Sequence, residues 1–121
     1  MNKKENPKRY DLEERTFAFA QAVRKFVKKL PKTIANIEDS KQLVRASGSV
    51  GANYIEANEA LSKKDFLMRI KICRKEAKES NYWLKLVDTN DDAALEKERS
   101  ELKTEAHELT CIFGSIVTKN E

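Results

Sequence analysis

Apolar and small residues recur along this chain at alternating steps of three and four, in four separate stretches. The first runs Leu12, Thr16, Phe19, Val23, Phe26 and Leu30, a heptad seam that Pro31 ends. Asp11, with Glu14 three residues on, predicts the N-cap of that helix. A second seam runs Leu43, Ser47, Val50, Tyr54, Ala57 and Leu61. The third opens at Ser62, with Asp65 three residues later, and continues Phe66, Ile70, Cys73, Ala77, Ser80, Leu84 and Val87. The fourth follows Asp91 and Asp92, residues suited to a helix N-terminus, and runs Leu95, Leu102, Ala106, Leu109, Phe113 and Ile116. Four amphipathic helices with short connections predict an all-α fold, an antiparallel up-down four-helix bundle. One domain spans residues 10–121, and the polar residues 1–9 read as a flexible basic tail.

The second seam contains the stretch "ASGSVGANYIEA", residues 46–57, with two of the chain's three glycines. Each should cost about 1 kcal/mol against alanine in a helix interior. The seam nevertheless passes through both without slipping, so the stretch reads as helix. Gly48 and Gly51 lie three apart, near Ser47, Ala52 and Ala57, and such a small-residue face lets a neighbouring helix come close. A phosphate-binding loop would need a preceding strand and a lysine after the second glycine. Neither is present.

Composition narrows the class further. Two prolines and three glycines in 121 residues disfavour an all-β fold, and 36% charged residues suit long amphipathic helices. The longest uncharged runs, Ala46–Ile55 and Leu109–Thr118, are ten residues each. A membrane span needs roughly 20. The N-terminal "MNKKENPKRY" has no apolar stretch behind its charges, so no secretory signal is expected. Cys73 and Cys111 read as free thiols, which predicts a cytoplasmic protein.

The net charge of +4 conceals a segregation. Residues 1–45 carry twelve Lys/Arg against six Asp/Glu, and residues 63–87 carry eight against three. Residues 88–121 reverse the balance, with four against nine. Such asymmetry can orient subunits, or confine an anionic partner to one face.

Catalytic chemistry finds little support. His107 is the chain's only histidine. It stands four residues before Cys111, two-ligand geometry on one helical face, with no third or fourth ligand nearby in sequence. A triad built on Ser47 or Ser49 would also need His107 and a positioned acid. The expectation is a protein that is not an enzyme, with no catalytic residue, metal or cofactor.

The third helix carries two further stripes. Lys64, Lys71, Lys75, Lys78 and Lys85 recur at steps of seven, four, three and seven, with Arg74 flanking and Lys63 and Arg69 nearby. Such a row can follow a phosphate backbone, or be a solvated face. The candidate nucleic-acid-binding residues are Lys63, Lys64, Lys71, Arg74, Lys75 and Lys78. The row has no aromatic interleaving of the kind that reads single-stranded bases, apart from Tyr82 in line with it, and sequence-specific readout is not indicated. The other stripe is Ile72, Glu76, Glu79, Trp83 and Leu86, apolar surface beyond the seam, and is the candidate oligomer interface with Trp83 as anchor. A wide core would use the same residues.

Residues 42–87, "QLVRASGSVGANYIEANEALSKKDFLMRIKICRKEAKESNYWLKLV", closely resemble a bacterial four-helix-bundle family. That family is named for proteins encoded within intervening sequences of 23S ribosomal RNA genes. "SVGANYIEA" and "KEAKESNYWL" look like its signature segments, and residues 10–33, "YDLEERTFAFAQAVRKFVKKLPKT", resemble its first helix. The acidic fourth helix is less diagnostic, and Ala46 stands where many relatives have serine. The resemblance implies an up-down bundle that assembles as a homopentameric ring. A related branch, the accessory variability protein of diversity-generating retroelements, is a basic pentamer that binds nucleic acid and a partner reverse transcriptase. For the intervening-sequence branch the resemblance implies no defined activity.

Two readings follow. In one, a non-catalytic oligomer associates with RNA or DNA through phosphate contacts from its basic face. In the other, the chain is a protein-interaction or scaffolding module whose subunits pair by charge. The acidic residues Glu96, Glu98, Glu101, Glu105 and Glu108 would then neutralise a neighbour's lysines.

Overall fold

The computed structural model describes the backbone of residues 7–121 and the side chains from Leu12 onward. Four helices follow one another: α1 (Pro7–Lys28), α2 (Ile34–Asn58), α3 (Lys63–Leu86) and α4 (Ala93–Asn120). Each packs on its sequence neighbour and α4 closes back on α1, while the diagonal pair α2 and α4 meets through core side chains such as Tyr54 and Phe113. Short connections make successive helices antiparallel, giving the up-down bundle.

The caps follow from local chemistry. Thr33 accepts from the Asn36 N–H, Ser62 from Asp65 and Asp92 from Leu95, each in extended backbone one residue before its helix. In the α3–α4 turn, Asn90 and Asp91 take left-handed φ values of 58° and 57°. Asn and Asp tolerate that region, and the Asp88 side chain accepts from the Asn90 N–H at 2.8 Å. Two of the expected boundaries shift. Helix α1 starts at Pro7, a residue at home in a first turn, so Asp11 lies inside it. Of the expected basic tail, residues 1–6 lie outside the described residues, and residues 7–9 belong to α1.

The core is the four seams turned inward. Phe26, Leu43, Ile70, Leu84, Leu109 and Phe113 are fully buried, and the Tyr54 ring tilts against Phe113 at 5.7 Å. Two seam positions differ from expectation. Leu61 lies beyond the end of α2 and is 98% exposed, and in α4 Val117 rather than Ile116 completes the buried row.

The glycine stretch is helical throughout and marks the approach of α1. A Cβ on Gly51 would meet the buried Thr16 Oγ1 at 2.9 Å and its Cβ at 3.2 Å. At Gly48 the nearest atom is the end of the Arg24 guanidinium, at 3.1 Å. At the other end, buried Asn36 joins the two connections on its side of the bundle. Its Nδ2 donates to Pro31 O and Asp88 O at 2.9 and 2.8 Å, and its Oδ1 accepts from the Asp88 N–H at 2.8 Å.

Candidate nucleic-acid interface

Helix α3 brings Lys71, Arg74, Lys75, Lys78 and Lys85 to one long face, bordering a groove of about 960 Å³ against α4. From Lys71 to Lys85 the helical rise gives a length of about 21 Å. Asn81 and Tyr82 complete the α3 wall, and His107 and Thr110 form the α4 wall. The walls touch at defined points. Asn81 donates across to Lys103 O at 3.4 Å, and the Arg74 stem passes Gly114 closely enough that a Cβ there would sit 3.6 Å from its Cδ. Of the six basic candidates, Lys71, Arg74, Lys75 and Lys78 line the groove together. Lys63 and Lys64 are exposed on the first turn of α3, outside that lining.

The carboxylates of α4 face elsewhere. Arg15 of α1 donates to both oxygens of Glu105, at 2.8 and 2.9 Å, and to Glu108 at 2.7 Å. These bonds hold the Arg15 pKa above its ordinary value. Lys29 pairs with Glu98 at 2.8 Å, and Glu96 accepts from Arg99 at 2.6 Å and from the Thr89 hydroxyl. Four of the five acidic residues of α4 are thus engaged within their own chain. Among the described residues one carboxylate pairs directly with the row, Glu121, 3.5 Å from Lys71 at its end, and Glu79 acts on Lys75 through space. The remaining cations face a wall of imidazole and hydroxyl. Their mutual repulsion is relieved by any anion that enters, and a polyphosphate would add the release of its condensed counterions.

The second stripe of α3 turns towards α2. Glu76 is buried, 3.4 Å from Arg45, and Glu79 accepts from the same guanidinium at 2.6 Å. The Trp83 indole N–H donates to Glu79 at 3.0 Å. That bond, with Arg45 beside it, holds the Glu79 carboxyl below the usual carboxylate range. Trp83 is partly buried against the core, Ile72 is half-buried and Leu86 is 48% exposed. Glu76, Glu79 and Trp83 therefore serve the α2–α3 contact of a single chain, whatever else they meet. Sequence spacing could not reveal this, because Arg45 lies 34 positions from Glu79.

Other candidate chemistry is sparse. Cys111 and His107 lie 3.6 Å apart on the outside of α4. Among the described residues no three His, Cys, Asp or Glu side chains gather as metal ligands. Burial pushes the Cys73 thiol up to about 12, and its Sγ donates to Val50 O at 3.4 Å, so it behaves as a small apolar core residue. Among the described residues no helix is long and apolar enough to cross a membrane. The α4 wall, His107 and Thr110, was not among the residues expected from sequence. Nothing in the spacing of α3 says which residues of another helix will stand opposite.

No curated protein matches this chain. Among solved structures, a protein of unknown function from the S23 ribosomal protein family of Bacteroides thetaiotaomicron superimposes with a TM-score of 0.78 at 27% identity. The match covers 91% of this chain and 97% of that one. The family model described as 23S rRNA-intervening sequence protein matches residues 8–114, nearly the whole bundle. The four helices, the small-residue face of α2 and the α3 segments thus converge on one assignment: the chain belongs to the family of 23S rRNA-intervening sequence proteins.

Proposed function

We propose that this chain is a non-catalytic, oligomeric protein of the cytoplasm that associates with RNA or DNA through phosphate contacts in the α3–α4 groove. One observation carries the reading: Arg74, Lys75, Lys78 and Lys85 line a groove whose α4 wall is His107 and Thr110, while Glu105 and Glu108 pair with Arg15 of α1 and Glu98 with Lys29 just beyond it. This arrangement disfavours the charge-paired scaffold, in which those carboxylates would serve a neighbour's lysines. Binding of this kind has no sequence preference of its own and falls steeply as salt rises.

Self-association finds support in apolar surface. Phe17 is 63% exposed on α1 and Ile55 55% on α2, and an apolar groove bordered by Val27, Pro31, Ile37 and Val44 lies between the same helices. Assembly through such surface would repeat the basic groove around a ring, the pentamer that the resemblance implies. A protein partner such as a reverse transcriptase would then meet a multivalent surface.

The test is light scattering of the purified protein, alone and with a short structured RNA, at low and moderate salt. A ring of about five subunits that gains mass with RNA at low salt and releases it as salt rises supports the reading. Lys71→Glu, Lys75→Glu and Lys78→Glu combined should abolish binding at unchanged helix content. A triple variant that binds as well as the parent would leave the row a solvated face.

A further inference from the structure

The groove is not uniformly basic. Tyr82 stands in its α3 wall with 53% of its surface exposed, four residues after Lys78 and three before Lys85. On a helix these spacings place all three side chains on one face, with one lysine a turn before the ring and one a turn after it. The ring is also braced. Trp83 meets it edge-on at 4.9 Å with an interplanar angle of 76°. Trp83 is held by Glu79, and Glu79 by Arg45 on α2. An exposed aromatic fixed from behind keeps its outer face for a ligand at little entropic cost. A solvated lysine face requires no such ring. A duplex that presents only phosphates to the row would leave it unused.

We propose that the groove takes unpaired nucleotides, with Tyr82 as the stacking platform for one base and Lys75, Lys78 and Lys85 holding the phosphates on either side. The inference rests on the phosphate-contact reading of the same groove and adds the class of nucleic acid. Stacking on an aromatic side chain tolerates any base, because every base has a π-face, while the flanking cations supply salt-dependent affinity. Across the groove from the ring the α4 wall is formed by His107 and Thr110, without a carboxylate beside the base.

The experiment measures fluorescence anisotropy of the full chain with labelled oligo(U), oligo(dT) and a duplex RNA of equal length, at one salt concentration. Tyr82→Leu should weaken both single strands about tenfold and leave the duplex unchanged, while Tyr82→Phe keeps parental affinity. Circular dichroism checks that both variants keep their helix content, and Trp83 emission should respond to single strands in the parent. Equal losses on oligo(U) and oligo(dT) support the stack with the sugar unread. A loss confined to oligo(U) supports it and identifies RNA as the source. A Tyr82→Leu variant that binds single strands as well as the parent, or loses duplex equally, overturns the stack while phosphate binding stands. If neither parent nor variants bind any of the three at low salt, the phosphate-contact reading itself fails.

Discussion

The two flanks of α4 solve opposite electrostatic problems. Towards α1, carboxylates meet cations: Glu105 and Glu108 hold Arg15, and Glu98 holds Lys29. Towards α3, cations meet His107 and Thr110. Both flanks belong to one helix whose segment is acidic in net terms. Counting charge by segment would assign the acidic helix to the lysines beside it. Geometry directs those acids to the other neighbour, and what is left over is a basic groove.

The most direct way to break the contrast is to put carboxylates on the wall formed by His107 and Thr110. His107→Glu with Thr110→Glu should let the α3 cations pair within the chain, as Arg15 does. RNA affinity at low salt is then expected to fall about a hundredfold, since each internal pair competes with a phosphate contact and adds repulsion. Urea unfolding should show stability unchanged or slightly raised. A double variant that still binds RNA like the parent would move the interface off this groove.

Next in size is the contact that sets how near α1 sits to the bundle. Gly51→Ala adds a methyl 2.9 Å from buried Thr16, one residue from Arg15. Overpacking of that kind costs about 1–3 kcal/mol, against a helix-propensity gain of about 1. A net loss of about 1–2 kcal/mol is expected in urea unfolding. Gly48→Ala meets only the end of the long Arg24 side chain, which can shift by a few tenths of an ångström, so there the propensity gain should prevail and stability should rise by a few tenths of a kcal/mol or more. Equal effects at the two glycines would refute the close-approach account of this helix.

Smaller again is Arg15→Ala. The pair with Glu105 and Glu108 is bidentate but partly exposed, with 28% of the Arg15 side chain accessible. Pairs of this class contribute about 0.2–1 kcal/mol, and salt screens them. The variant should lose no more than about 1 kcal/mol, with the difference shrinking at high salt. RNA binding on the far flank should hardly change, which would separate the two faces functionally.

Much of this architecture could be read from period alone. The four seams, the caps at Ser62 and Asp92 and the helical glycine stretch all follow from local rules that the tertiary structure leaves intact. The misses have identifiable causes. An α-helix drifts by about 20° per heptad against a strict seven-residue repeat, so over three heptads of α4 the buried row moves on from Ile116 to Val117. Leu61 kept the spacing of α2, but the helix had already ended at Asn58. The α3 row was legible as a row. Its meaning depended on the rotation of α4, which decides whether Glu105 and Glu108 or His107 and Thr110 face it, and no pattern within α3 encodes that. The same holds for Asn36, whose partners Pro31 and Asp88 lie on two different connections.

The brace behind Tyr82 offers the finest test, because its carboxylate, Glu79, lies outside the groove lining and can be altered alone. Glu79 titrates below its ordinary value because the Trp83 indole donates to the carboxylate and Arg45 lies beside it. A carboxyl with a depressed folded-state pKa adds stability that is present above the unfolded value, 4.5, and lost as pH falls through the folded one. Lowering the pH below 4.5 should therefore change Trp83 emission as its acceptor is protonated, in a step that Glu79→Gln removes. Duplex binding through phosphates does not use the ring, so it serves as the reference for any change at the groove itself. Single-strand binding should decline in parallel with the Trp83 signal, because a ring no longer supported by Trp83 is a poorer surface for a base. If single-strand affinity instead holds constant through the Trp83 transition, the brace is a packing feature of α2 and α3 with no part in presenting Tyr82.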